Sequence, residues 1–179
     1  MLAALTSGFI ALSALGASIY NVYLQRRQIE AQVWPHLEFM HSNPEPDEFT
    51  FDLQNTGVGP ARIQGVRIAI RGKACANWNE VFHEAGEADP ELKALITNPG
   101  LHYGYSSVAQ RVLGAGVVIH PGSFHWAAKN GEAPPSMMPL VRLFESADVS
   151  ICYCSTLDDC EMDGEPVKRC PLEQLTFKQ

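Results

Sequence analysis

Phe49-Thr-Phe-Asp-Leu-Gln-Asn-Thr-Gly-Val-Gly-Pro-Ala-Arg-Ile-Gln-Gly-Val-Arg-Ile-Ala-Ile70 is the stretch that decides the fold. Phe49, Phe51 and Leu53 alternate with Thr50, Asp52 and Gln54, the two-residue period of a strand with one dry face and one wet face. The stretch from Asn55 to Ala61 predicts a turn. Asn55 and Gly57 tolerate positive φ, Gly59 is permissive, and Pro60 fixes its own φ. A second strand is predicted over 61–71. Its apolar alternation shifts from Ala61 and Ile63 to Val66, Ile68 and Ile70, which predicts a bulge near Gly65.

Working outward, a strand over 36–40 puts Leu37 and Phe39 on one face, and 41–48 is a polar loop. The pattern breaks over 72–105. Asp89-Pro90-Glu91 is a helix start with Asp as N-cap and Pro in the first turn, and Asn98-Pro99-Gly100 is its stop. A shorter helical turn covers 78–85, so a helical insertion is expected at about 76–100. Further strands are predicted over 106–113, 117–120, 123–127, 148–154 and 172–177, with Pro121-Gly122 as a break. A loop is expected over 129–136 and a short helix over 138–146. The class is mainly β: an antiparallel, immunoglobulin-like β-sandwich of about seven strands over 34–179.

The first 24 residues carry no charged side chain, and Arg26 and Arg27 follow them. About 20 apolar residues suffice for a transmembrane helix, so 1–33 is expected to be a transmembrane anchor and short stalk, ended by Pro35. Tyr20, Tyr23 and Trp34 suit a membrane-interface belt, with Arg26 and Arg27 reaching head groups. Charge after the apolar run, rather than before it, favours an uncleaved anchor over a cleaved signal. It also favours a cytoplasmic soluble domain. Ala4, Ser7, Ala11, Ala14, Ser18 and Asn21 step by three and four, forming one stripe with the period of a left-handed helix pair. Gln25, Gln28 and Gln32 continue it. Small residues let helices approach closely, so the expected partners are the lipid bilayer, other membrane helices and copies of the chain itself.

The formal charge of −7 and pI near 5.3 argue against a nucleic-acid-binding role. Four of the five cysteines lie late, at Cys152, Cys154, Cys160 and Cys170. Cys152 and Cys154 share a strand face. Three readings stay open: disulfides (Cys154 with Cys160, or Cys160 with Cys170), which need an oxidising compartment and would favour a periplasmic domain; a thiolate metal site, although paired C-x2-C knuckles are lacking; or small buried hydrophobes. Asp159 to Gly164 has the look of a calcium loop, but Cys170 stands where a bidentate Glu is required. The six histidines are scattered. His120 and His125 flank Pro121-Gly122 and are expected to approach each other across a hairpin. No nucleophile, phosphate-loop or dinucleotide motif is present. No catalytic residue, cofactor or resident metal is expected.

Trp34-Pro35-His36-Leu37, the run Asn55-x-Gly57-x-Gly59-Pro60-Ala61 and Ile151-Cys152-Tyr153-Cys154-Ser155 follow a lone N-terminal span with a basic exit. In this order the chain resembles a group of uncharacterised bacterial single-pass membrane proteins with a soluble β domain. The resemblance implies that architecture and a bacterial inner membrane, and no activity. The expected function is a non-enzymatic membrane-anchored interaction or scaffold protein: an accessory subunit of a membrane complex, or a homo-oligomer packed through its span. The alternatives are an oligomeric pore-forming effector with the β domain as sensor, and a metal- or thiol-dependent protein using the late cysteines.

Overall fold

The computed structural model describes residues 2–43, 45–127, 133–175 and 177, with side-chain surroundings from Gly8 onward. Among the described residues there are four helices and ten strands, in two antiparallel sheets. The helices are α1 (Leu2–Gln32), α2 (Trp78–Ala88), α3 (Pro90–Ile96) and α4 (Met138–Ser146). The strands are β1 (Leu37–Ser42), β2 (Glu48–Asn55), β3 (Ala61–Ile70), β4 (Lys73–Cys75), β5 (Leu101–Tyr105), β6 (Val112–Leu113), β7 (Val118–Trp126), β8 (Ala147–Cys154), β9 (Cys160–Met162) and β10 (Glu165–Val167). One sheet runs β1-β2-β7-β5; the other runs β10-β9-β8-β3-β4, with β6 also paired to β3.

The mainly β expectation holds, with corrections. Ten strands replace the expected seven or so, and the order of the sheets replaces the immunoglobulin-like label. The helical insertion is two capped helices rather than one helix and a loose turn. Asn77 accepts from the Glu80 amide at 3.0 Å, and Asp89 accepts from the amides of Glu91 and Leu92. β5 falls where no strand was expected, because only Leu101 of its five residues is buried and no alternation marks it. The expected strand over 106–113 is regular only at Val112–Leu113. Residues 172–174 form a turn rather than the start of a last strand. Leu175 and Phe177 are still buried, and the Phe177 amide reaches the Val66 carbonyl at 3.1 Å. Lys129, Asn130, Gly131 and Glu132 of the expected loop, and Thr176, lie outside the described residues.

The α1 expectation is corrected more deeply. Among the described residues no helix is long and apolar enough to cross a membrane. Polar Thr6, Ser7, Ser13, Ser18, Asn21 and Gln25 interrupt the apolar residues of α1. The transmembrane anchor over 1–33 and the single-pass inner-membrane placement are withdrawn on this finding. The cytoplasmic domain, argued from the charges beside that crossing, goes with them.

Packing of the two sheets follows from the alternation in β2. Phe49, Phe51 and Leu53 are buried and meet Ile63, Val66 and Ile68 of β3 in one core. Phe51 sits at its centre. It stacks on Trp78 of α2 with centroids 5.7 Å apart and meets the edge of Phe124 of β7 at 5.6 Å. Such pairs add about 0.5–1.5 kcal/mol each beyond their buried area. The bulge expected near Gly65 lies between Ile63 and Gly65. A second bulge explains why Pro121 does not break β7. Phe51 pairs with Gly122 and Leu53 with Ile119, so His120 and Pro121 together oppose Asp52, and the missing proline amide costs no ladder bond.

The turn after β2 has a different logic from the expected one. Neither Asn55, Gly57 nor Gly59 adopts positive φ. The glycines are required by close approach: a Cβ at Gly57 would collide with the His36 amide, and one at Gly59 with the Val33 carbonyl. Asn55 is fully buried, and its side chain is saturated. Its amide nitrogen donates to the Gly59 carbonyl at 2.8 Å and the Leu113 carbonyl at 2.9 Å, while its oxygen accepts from the amides of His36 and Gly57.

Asn55→Ala strands these groups in a dry site and is expected to cost roughly 2–4 kcal/mol. Gly59→Ala forces backbone apart and is expected to cost about 1–3 kcal/mol. Urea unfolding measures both; losses under about 0.5 kcal/mol, the range of a neutral surface change, would show that this turn does not hold the chain entry.

Candidate functional site at the helix exit

α1 ends against this turn. The Trp34 carbonyl accepts from the amides of Val58 at 3.0 Å and Gly59 at 3.2 Å, and the His36 carbonyl accepts from Thr56 at 2.8 Å. Trp34 is itself half exposed and lines a cleft of about 480 Å³ with Glu30, Asp158, Asp159, Cys160, Pro166, Val167 and Lys168. The cleft lies between the last turns of α1 and the β9–β10 hairpin. Asp163 and Gly164, both at positive φ, turn that hairpin, so the calcium-like stretch is a tight turn with no ligand geometry.

All four late cysteines converge beside this cleft. Cys154 is bonded to Cys160, its direct partner across β8 and β9. Cys152 is bonded to Cys170, beyond β10. The first pairing matches one sequence expectation; Cys170 takes Cys152 rather than Cys160. Sequence separations of 6 and 18 correspond to loop constraints worth about 2 and about 3 kcal/mol. The sulfurs of Cys154, Cys160 and Cys170 all lie within 4.8 Å of one another. Cys75 on β4 is outside the cluster and is the free cysteine. Burial pushes its thiol up, which leaves it unreactive.

Several neighbours of the cluster had no signal in the sequence. Arg62 of β3 is the register partner of Cys154, so both side chains share a sheet face. Arg62 pairs with Asp158, yet its Nε is buried without a partner. Tyr153 is buried, and its hydroxyl accepts from the Leu37 amide at 3.4 Å. Burial, with Glu161 across the hairpin, pushes its pKa up to about 12, so it stays protonated. None of these pairings is adjacent in the chain; only the strand register reveals them.

The expected helix stripe is only partly brought into view. Ala11, Ala14, Ser18 and Asn21 are exposed on α1. The side chains of Ala4 and Ser7 lie outside the described ones. Tyr20 and Tyr23 are exposed. Arg26 and Arg27 fold along the helix instead of extending from it: Arg26 meets Glu30 at 3.0 Å, and Arg27 donates to the Tyr23 hydroxyl at 3.2 Å.

One polar cluster invites a catalytic reading. Asp52 accepts from the Ser42 hydroxyl at 2.7 Å, and His120 Nδ1 lies 2.7 Å from its other oxygen. Ser42 also meets Thr50 at 2.6 Å. Both hydroxyl bonds go to Asp52 or to each other, and neither reaches the imidazole, so no nucleophile–base pair is assembled. His120 and His125 lie on the single strand β7 rather than across a hairpin. Asp52 ties the bulge in β7 to Ser42 of β1.

Two outcomes test this description. Burial pushes the Asp52 carboxyl upward, but bonds from His120, Ser42 and Thr50 outweigh it and hold the carboxyl below its usual range. A depressed folded pKa gives stability that is present above the unfolded value, near 3.9, and lost as pH falls through the folded value. Below about pH 4, Asp52→Asn should therefore flatten the fall of stability with pH. Thiol titration of the unreduced, denatured chain should find only Cys75 reactive, and all five cysteines after reduction. No protein-family model, no curated protein and no solved structure matches the chain.

Proposed function

We propose that this chain is a non-enzymatic interaction protein that assembles with copies of itself through α1 and displays the disulfide-bonded β domain at the end of that helix. One observation carries the reading. Phe9, Leu12, Ile19 and Val22 are all at least 64% exposed, and every residue from Gly8 to Ile29 is exposed. A helix that exposes this much apolar surface is stable only when that surface is covered.

Three features support a second copy as the cover. The line Ala11, Ala14, Ser18, Asn21, Gln25, Gln28 and Gln32 keeps a three–four step, which matches the period of a helix winding around its own kind. No charge lies on α1 before Arg26, so like helices meet without repulsion. The small residues on the line allow close approach, and the amides beyond it can pair across the contact. Closed symmetric pairs are the commonest form of such self-association.

In a non-ionic detergent that keeps the apolar helix dispersed, the full chain should run as an oligomer by light scattering. Ala11→Leu with Ala14→Leu should shift it to the monomer mass without lowering the melting temperature of the β domain. A variant of unchanged mass, or a monomeric parent, overturns the reading.

A further inference from the structure

We propose that the four late cysteines form a redox-gated metal site: in the reduced protein their thiolates bind one divalent d10 cation of the Zn2+ class. The disulfides and the metal are then alternative occupants of the same four sulfurs. The inference is independent of how α1 assembles.

The geometry carries it. Zinc held by four thiolates has bonds of about 2.3 Å, which sets the sulfur–sulfur edges of its tetrahedron at about 3.8 Å. Cys154, Cys160 and Cys170 already hold their sulfurs within 4.8 Å of one another, although only two of the three are bonded together. The fourth sulfur, of Cys152, lies outside that group of three and is tied to it through its bond to Cys170. Opening each disulfide needs its sulfurs to part by under about 2 Å to reach those edges, within the reach of side-chain rotation. Cys152, Cys154 and Cys160 stand on paired strands and keep their frame. Cys170 lies in the chain beyond β10, outside the strand ladder. The chain spacing lacks C-x2-C knuckles because β8, β9 and the following loop bring the ligands together instead.

A second observation points the same way. Zinc with four thiolates carries a net charge of −2, which needs donors and positive charge around it. The guanidinium of Arg62 shares the face of Cys154, and its Nε–H is buried with no acceptor. A thiolate at Cys154 supplies one. A disulfide sulfur is a far weaker acceptor than a thiolate.

The chemistry balances. Each disulfide takes two electrons and two protons to give two thiols. A phosphine reductant supplies the electron pair and leaves as its oxide, with oxygen from water; a dithiol leaves as its own disulfide. The cation then displaces four thiol protons.

The test uses the full chain, reduced with a phosphine under argon and desalted. Co2+ serves as the optical probe. The reduced chain should bind one equivalent, with thiolate-to-cobalt charge-transfer bands and the intense visible bands of a tetrahedral site, and Zn2+ should bleach them. The oxidised chain should show none. Cys75→Ser should leave the bands unchanged, Cys170→Ser should weaken binding at least tenfold, and Arg62→Met should weaken it roughly 10–100-fold. Metal should also raise the melting temperature of the reduced chain. Absent bands in a reduced chain that keeps its far-ultraviolet dichroism overturn the proposal. So does a reduced chain that unfolds and is not refolded by metal, or equal bands after all four late cysteines become serine.

Discussion

The side chain of Asn55 is the contact on which the rest of this structure depends. A buried primary amide must satisfy two donors and an acceptor, or it costs more than it contributes. Here every capacity is used, on the entry to β1, on its own turn and on the end of β6. The backbone of the same residue joins the opposite side: its amide donates to Val117, and its carbonyl accepts from Gly116. Segments that hydrophobicity alone would leave unordered at the edge of the core are therefore held in one arrangement. Burial of Phe51 among Trp78, Phe124 and Phe144 supplies the driving force. Asn55 decides which chains meet above it.

Much of the fold was legible in the sequence because its strands obey one rule. β2 and β3 alternate, so their length, faces and the bulge before Gly65 follow from residue order. The start of α3 was legible because Asp89 and Pro90 are local signals acting on adjacent backbone. β5 was not, because it is exposed on four of its five residues and is held by the ladder to β7, a partner remote in sequence. Pro121 misled for the same reason: whether it breaks a strand depends on the bulge opposite Asp52, which no local pattern records.

The site shows the same division. Shared orientation of Cys152 and Cys154 follows from strand period, and the Cys154–Cys160 bond was the natural short-range pairing. The partner of Cys170 depended on where β10 returns the chain. Arg62 stood in plain view as an ordinary strand residue; its relation to Cys154 exists only through the β3–β8 register. Apolar content suggested a membrane crossing for α1, but no described helix is long and apolar enough for one. The stripe on α1 is a matter of residue spacing, which does not depend on the surrounding medium.

The junction between α1 and the domain is short and fully bonded. Only Val33 to His36 separate the helix from β1, and the carbonyls of Trp34 and His36 are each held by the turn after β2. The glycines there leave no gap for a hinge to open into. A pull or a twist applied along α1 is thus delivered without slack to the loop joining the two sheets. In mechanical terms the helix is a lever arm, and the sandwich is the part that bears its load.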